Sequence, residues 1–333
     1  SQTAPLLKVV LNKYRDDVPA YASLVQRLTR MVGVSGTQQT IEQLIQKSTS
    51  AASGKQTSWQ APMLQGLAQG LESRKSKSPE SVSAFDGQQS LLVKTFFEHS
   101  SPEVRHASLE MLKVIGLKDG APAKTAIQKS VLIAADRKLS DAKRTESINF
   151  IALADPAPHA SLLKKLIVPQ EQPSVQLAAL KVLSKIPDTT VSEYVIQQWS
   201  VLTPEIREAA IGTFLGKDNQ VRIGLLLNAL ETNKIQTSSV SFGRSVQLMQ
   251  NTDEKLRNRA RTLFTKNEEE GKKVNKEYQQ ALELKGDATK GKAVYMQNCA
   301  ICHQIRGEMG VQLGPDLGTI HNWLPEVIMA NIL

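Results

Sequence analysis

Pro102-Glu103-Val104-Arg105-His106-Ala107-Ser108-Leu109-Glu110-Met111-Leu112 is the stretch that decides the fold, because it recurs in altered form along the chain. Clear copies cover residues 173–183 and 204–214, a weaker copy covers 254–264, and a fainter one covers 141–151. The shared pattern is Pro-x-(Val/Ile)-(Arg/Gln)-x-Ala-(Ser/Ala)-(Leu/Ile)-x-x-(Leu/Phe). Proline suits the first turn of a helix, and the spaced apolar positions form one buried stripe. The pattern therefore predicts a set of related helices.

The copies begin about 39, 32, 31 and 50 residues apart, which is the spacing of a helical repeat array. Four of them carry a small residue on the apolar stripe, which lets neighbouring helices approach closely: Ser108, Ala179, Ala210 and Ala260. Over residues 87–265 the pattern resembles HEAT-type repeats. The resemblance implies helix pairs that stack into a curved solenoid.

The segments on either side of the repeats are less regular. Residues 1–86 are expected to form irregular helical pairs or a capping region, with amphipathic helices over 4–14, 21–32, 38–47 and 61–73. Breaks are expected at 33–36 and 50–54, where glycine and serine cluster. Residues 266–283 are charged and nearly free of apolar side chains, so they predict an exposed linker helix. Residues 284–333 are expected to form a separate domain.

Charge is distributed unevenly along the 333 residues, whose formal net charge is +9. The segment from residue 283 onward holds four of the 41 basic and five of the 32 acidic residues, so the helical body before it carries +10. Such a body suits an acidic protein partner. A nucleic-acid partner is not predicted, because the basic residues are scattered singly without interleaved aromatics. No run approaches about 18 consecutive apolar residues, so no transmembrane segment is predicted.

Both cysteines of the chain lie in Cys299-Ala300-Ile301-Cys302-His303, which has the C-x-x-C-H spacing of covalent haem attachment. Two residues between the cysteines let one helical turn present both sulfurs to one porphyrin edge. Cys299 and Cys302 are therefore the predicted tethers of a single haem c, and His303 is its predicted proximal iron ligand. Three alternatives stay open: a zinc site that adds His321 and His303 to the cysteines, a redox-active dithiol, and an accidental motif.

The residues around this motif resemble a class I cytochrome c domain. Residues 287–295 read D-x-x-K-G-x-x-x-Y, and Gly314-Pro315-Asp316-Leu317 follows the motif. Asp287 is expected to cap the first helix of the domain. The resemblance implies that Gly291 marks the place where the first helix crosses the last. It also implies that a backbone carbonyl at Pro315 braces the haem histidine, fixes its tautomer and makes it more basic.

The distal ligand and the ends of the chain are a matter of expectation. The domain from residue 284 is shorter than a class I cytochrome usually is, so we expect the distal ligand to lie beyond residue 333. Met329 is the nearest downstream candidate, although its helical position favours an apolar core contact, and Met309 lies too close to the motif. The start has neither an initiator methionine nor a signal sequence, so we expect a processed or fragmentary N-terminus.

The expected fold is all-α, with a HEAT-like helical-repeat solenoid followed by a small, truncated haem domain of the cytochrome c type. This combination resembles multidomain cytochromes of Planctomycetes, Verrucomicrobia and Bacteroidetes. The resemblance implies a periplasmic or otherwise extracytoplasmic bacterial protein. It also implies electron transfer from a carbohydrate or alcohol dehydrogenase, either as an upstream domain or as a separate redox partner protein.

Two other functions stay open at this point. The main alternative is a HEAT-like protein-interaction scaffold without functional haem, and the weaker one is haem-dependent catalysis at an open iron site. The chain carries no G-x-S-x-G, H-E-x-x-H or P-loop motif, so no catalytic site is predicted outside the haem segment. Trp323 lies in that segment and is a candidate to pack against the porphyrin.

Overall fold

The computed structural model describes residues 3–15, 18–50, 58–216, 219–311 and 314–332. Helices dominate these residues, and one short pair of strands is present among them. The chain divides into two compact units, Ser1–Gly216 and Lys217–Leu333. The all-α prediction is therefore confirmed. No helix in these ranges is long and apolar enough to cross a membrane.

The first unit contains twelve α-helices in its described residues, joined by short connections. They are α1 (Thr3–Asn12), α2 (Pro19–Ser35), α3 (Gln38–Thr49), α4 (Gln60–Lys75), α5 (Gln89–Glu98), α6 (Pro102–Ile115), α7 (Ala121–Ala135), α8 (Asp141–Ile151), α9 (Ala160–Lys165), α10 (Pro173–Leu183), α11 (Thr190–Gln197) and α12 (Pro204–Phe214). Three 3₁₀ segments lie between them: Pro79–Gln88, Ala157–His159 and Trp199–Val201.

The second unit begins with helices and ends with a small mixed segment. Its helices are α13 (Gln220–Glu231), α14 (Phe242–Met249), α15 (Glu254–Tyr278), α16 (Ala288–Asn298) and α17 (Pro325–Ile332). Its 3₁₀ segments are Thr237–Ser239, Gln279–Glu283 and Leu317–Ile320. Strands β1 (Gln304–Ile305) and β2 (Met309–Gly310) pair antiparallel, with Gln304 opposite Gly310.

Each copy of the recurring stretch begins a helix at its first residue, which gives α6, α8, α10, α12 and α15. A polar residue just before the copy caps four of these helices by accepting an N–H bond from the first turn. Ser101 accepts from the N–H of Val104, Ser140 from that of Lys143, Thr203 from that of Ile206 and Asp253 from that of Leu256. Capping satisfies backbone donors that have no partner inside the helix. The repeat pattern therefore includes the residue that precedes it.

The Arg/Gln position of the pattern has a common structural role. Arg105 donates to His99 O (3.0 Å), Arg207 to Trp199 O (3.0 Å) and Arg257 to Asn251 O (2.9 Å). In the copy that begins at Pro173, Gln176 donates to Glu171 O (2.8 Å). Each side chain thus ties its own helix to carbonyls of the connection that enters it. This role explains why a long side chain with N–H donors recurs at the position.

The predicted apolar stripe is buried. The four small residues of the stripe are fully buried, and α10 packs against both α8 and α12. Their small size leaves room for close helix approach, and α6, α10, α12 and α15 each pack against other helices. Continuous stacking of the repeats into a HEAT-like solenoid stays a prediction, as do the domain limits. The last copy and the expected linker share one helix, because α15 continues to Tyr278.

The predicted break at residues 33–36 is wrong at its start, because α2 runs through Gly33 and ends at Ser35. A Cβ at Gly33 would lie 2.7 Å from Leu67 O and 2.8 Å from Gly70 Cα. Gly33 therefore allows the backbones of α2 and α4 to touch, and it does not interrupt the helix. The second predicted break begins at Ser50, the C-cap of α3, and its remaining residues lie outside the described ranges.

A buried ion pair lies in the first unit between α8 and the connection before α10. Arg144 Nη1 lies 2.7 Å from Glu171 Oε2, and both side chains are only 3% exposed. Arg137 donates from Nε to Glu171 Oε1 at 2.7 Å, and Arg144 Nε donates to Ala134 O at 3.0 Å. Burial, the largest single influence, raises the pKa of Glu171, but the hydrogen bonds and charges of the two arginines together lower it.

Candidate functional site

The C-x-x-C-H residues form one turn directly after α16. The N–H groups of Cys302 and His303 both donate to Cys299 O, at 3.0 and 2.9 Å. This turn places the two sulfur-bearing residues three positions apart on one face. Cys299 is half-buried and Cys302 is exposed, and both are free thiols. The turn thus leaves two thiols available for covalent chemistry.

The imidazole of His303 is oriented by the backbone of the loop that follows. His303 Nδ1 lies 2.9 Å from Pro315 O. Because a carbonyl oxygen only accepts, the proton of the neutral ring lies on Nδ1. The lone pair of Nε2 is then available to a metal, and the hydrogen bond at Nδ1 makes Nε2 a stronger electron-pair donor. This is the tautomer that a proximal haem ligand requires.

The loop residue before Pro315 lies against the same turn. Gly314 N–H donates to Cys302 O at 2.6 Å. A Cβ at Gly314 would lie 2.6 Å from His303 Cε1 and 2.8 Å from its Nδ1. Such distances are too short for real carbon contacts, so a larger residue would push the imidazole or the loop away. Glycine at this position lets the loop pass close to the ring.

Asp316 holds the other side of Pro315, a role that the sequence analysis missed. Its carboxylate accepts N–H bonds from Arg306 (2.8 Å), Gly307 (2.9 Å) and Gly318 (2.7 Å). These bonds, with that from Gly318 the largest influence, lower the pKa of Asp316 below its ordinary value. The Gly-Pro-Asp-Leu-Gly run was a local signal, because Asp before a loop glycine often bonds to the backbone two residues on.

Tyr295 joins α16 to the turn and to the strand pair, which was also missed. Its hydroxyl lies 2.6 Å from His303 O and 3.1 Å from Met309 O, so it donates to one carbonyl at a time or is shared between them. Burial is the largest cause that raises the pKa of Tyr295. The phenol therefore stays protonated near neutral pH and remains a donor. In the sequence, this tyrosine stands out only as the last residue of the D-x-x-K-G-x-x-x-Y pattern.

The first helix of the segment begins as expected. Asp287 accepts N–H bonds from Thr289 (2.9 Å) and Lys290 (3.1 Å), so it is the N-cap of α16. The contact implied at Gly291 is different. Within the described ranges no atom lies closer than 4 Å to the position of a Cβ there, leaving aside the helix's own backbone. The described residues therefore do not make the helix crossing that the resemblance implied.

We expect Gly291→Ala to stabilise α16 by about 0.5–1 kcal/mol, because glycine inside a helix loses more chain entropy than alanine. Hydrogen exchange of the α16 amides in the full chain measures the effect. Gly70→Ala in α4 is the opposing control, because a Cβ there would overlap the backbone of α2 at Arg30 O. Slower exchange in α16 supports the description above. Faster exchange would show that a further element packs against Gly291.

Met329 lies half-buried in α17, which packs against the 3₁₀ segment Gln279–Glu283. Met309 lies in β2. The role of Met329 as distal ligand stays a prediction. Trp323 is exposed and lies two positions before Pro325, where α17 begins.

The segment that contains the turn exposes several apolar side chains. Ile301 inside the motif is 69% exposed, and the side chains of Val311, Trp323 and Leu324 are also exposed. Exposed apolar side chains gathered in one small segment commonly mark a binding surface. Together with the two free thiols and the His303 tautomer, they fit covalent haem. The chemistry of these residues matches the thiols, the iron ligand and the apolar surface that a covalent haem needs.

The zinc alternative finds no support in the geometry. Among the described residues, no three His, Cys, Asp or Glu side chains are grouped closely enough to hold a metal ion. His321, which the zinc alternative required, has its Nδ1 2.9 Å from Gly318 O. A structural zinc site needs four ligands in a tetrahedron.

Comparison with known proteins matches residues 288–332 to the Cytochrome c family. No curated protein and no solved structure matches the chain significantly. The segment at the C-terminal end is therefore a cytochrome c domain that follows a helical region. A domain of this family implies covalent haem c, haem-based electron transfer and a redox partner.

Proposed function

We propose that the chain carries one covalent haem c on Cys299, Cys302 and His303 and transfers single electrons in an extracytoplasmic dehydrogenase system. The observation that carries the proposal is the hydrogen bond from His303 Nδ1 to Pro315 O, next to two free thiols. It leaves Nε2 of His303 as a ready iron ligand. Bound haem would supply the one-electron chemistry of its iron.

The residues of the turn have separate tasks in this proposal. Cys299 and Cys302 would hold the haem through thioether bonds, in which the sulfur and the hydrogen of each thiol would add across one vinyl group without an oxidant. His303 would bind the iron through Nε2, and Pro315 O keeps the ring oriented. Tyr295 holds the carbonyl of His303 and so fixes the backbone that carries the ligand. The exposed apolar side chains would exclude water from the porphyrin.

The wider role rests on the resemblance to multidomain bacterial cytochromes. We place the chain in the periplasm, where it would accept electrons from a carbohydrate or alcohol dehydrogenase, as a neighbouring domain or a separate partner. The net charge of +10 before residue 283 supports an acidic partner for the helical body. Met329 remains the candidate distal ligand within the described residues.

The test is a pyridine haemochrome spectrum of the full chain made with the c-type maturation machinery. We expect a c-type spectrum that survives denaturation in the wild type and is absent from the Cys299→Ala, Cys302→Ala variant. Glu308→Gln is the matched control, because it changes an exposed residue of the same segment and keeps both thiols. A folded wild-type protein without covalent haem would overturn the proposal and favour the HEAT-like interaction scaffold.

A further inference from the structure

We infer that Asp316 is a positioning residue for the haem histidine, acting through the carbonyl of Pro315. The inference rests on the proposed function for its redox consequence, but its geometric part concerns the protein alone. Three backbone N–H groups converge on the Asp316 carboxylate, and the residue directly before it bears the carbonyl that accepts from His303.

The carbonyl of Pro315 lies between two tethers. On one side, Gly314 N–H donates to Cys302 O (2.6 Å) and binds the loop to the C-x-x-C-H turn. On the other, Asp316 accepts from Arg306 and Gly307 and binds the loop to the connection between β1 and β2. Proline has a fixed φ and no N–H that could anchor it by a hydrogen bond. The direction of the Pro315 carbonyl therefore depends on how Gly314 and Asp316 are held. Removing the Asp316 tether frees one side.

The shape of the connection explains why a carboxylate is needed. Arg306 and Gly307 both have positive φ, 55° and 69°, and their successive N–H groups donate to the carboxylate of Asp316. Consecutive N–H groups of this kind form an anion-binding concavity. The two carboxylate oxygens accept three bonds, one oxygen from Arg306 and Gly318 and the other from Gly307. An amide offers only one accepting oxygen.

The consequence for the haem follows from how strongly Nε2 of His303 donates electrons to the iron. A firm Nδ1–H bond to a carbonyl makes Nε2 a stronger donor, and a stronger donor favours the oxidised iron. Loss of the tether would weaken that bond and raise the reduction potential. For Asp316→Ala we expect a change of up to about tenfold in the ratio of oxidised to reduced protein, which is about 59 mV for a one-electron couple.

The experiment compares Asp316→Asn with Asp316→Ala in the full chain. Both remove the charge, but asparagine keeps one accepting oxygen. We expect ¹⁵N spectra of the His303 ring without haem to show the Nδ1–H tautomer in the wild type, less of it in Asp316→Asn and least in Asp316→Ala. The potentials of the haem-loaded proteins should rise in the same order.

Two controls separate positioning from other effects. Glu308→Gln removes an exposed negative charge from the same connection, and Asp287→Ala removes the cap of α16. Equal potentials for Asp316→Asn, Asp316→Ala and Glu308→Gln would show an effect of charge alone and overturn the inference. The same tautomer in all Asp316 variants would also overturn it. Failure of every protein to bind haem would refute the proposed function, while the apo ring spectra would still decide the positioning role.

Discussion

Glu171→Gln is expected to lower the free energy of unfolding of the first unit by about 3–5 kcal/mol, because it leaves the charge of Arg144 buried without its main partner. Arg144 is 3% exposed and donates from Nη1 to Glu171 at 2.7 Å. A glutamine keeps the size but not the charge. Arg137 and Arg144 donate to different oxygens of the carboxylate, so one of them would face the amide NH2 group, which cannot accept. The remaining nearby carboxylate, Asp141, is 3.8 Å from Arg144 and 45% exposed.

Urea unfolding and hydrogen exchange of α8 and α10 measure this loss. The matched control is Glu231→Gln in the second unit. Glu231 makes a similarly short contact of 2.8 Å with Arg259, but the two side chains are 38% and 34% exposed. We expect that change to cost less than about 1 kcal/mol in α13 and α15. Equal losses in the two variants would show that burial does not decide the strength of the pair.

The pH dependence of the folding stability is a second test of the contact between Arg144 and Glu171. The pKa of Glu171 is lower in the folded protein, so folding binds this carboxylate in its charged form. Its contribution is fully present above the ordinary carboxyl pKa and is lost as the pH falls through the lower folded value. Wild-type protein should therefore lose stability in acid more steeply than Arg144→Met, Glu171→Leu. The apolar pair should itself be close to wild type in stability at neutral pH.

The helical part of the fold was predictable because its signals are local. A polar cap in four of the repeat helices, a first-turn proline in three of them and a spaced apolar stripe set the starts and the buried faces, and these features stand together in the sequence. Gly33 was misread because local propensity treats glycine as a break. Its role depends on Gly70, which is 37 positions away and close in space only after α2 and α4 have packed.

The sequence predicts a haem site at Cys299, Cys302 and His303 because covalent attachment fixes their spacing, and the structure places the three residues in one turn. The Pro315 contact came from resemblance to a family, and the structure contains the bond at 2.9 Å. Asp316 and Tyr295 were missed because their partners are backbone groups. Main-chain N–H and C=O groups are present at nearly every residue, so the sequence does not show which of them will converge.

Gly310→Ala is expected to be the most damaging single change in the haem segment. Gly310 has a φ of +93°, and an added Cβ would overlap His303 O and lie 2.8 Å from the Tyr295 hydroxyl. The backbone conformation alone costs about 1–3 kcal/mol, and an overlap with a backbone oxygen that cannot rotate away adds about 1–3 kcal/mol. The displaced oxygen belongs to His303, the proposed proximal ligand, so the yield of covalent haem should fall together with amide protection at Val311, which donates to Ala300 O.

Gly307→Ala separates the two contributions, because Gly307 also has a positive φ of 69° but no described atom lies within 4 Å of a Cβ there. The Gly307→Ala variant should lose only the free energy that the positive φ costs a non-glycine residue, and the C-x-x-C-H turn should stay in place. Hydrogen exchange at Val311 should therefore accelerate at least about tenfold more in Gly310→Ala than in Gly307→Ala, since 1.4 kcal/mol corresponds to a factor of ten. If the two variants exchange equally fast and bind equal haem, the close approach of β2 to His303 is not what holds the ligand. The positioning of His303 would then depend on the Pro315 loop alone.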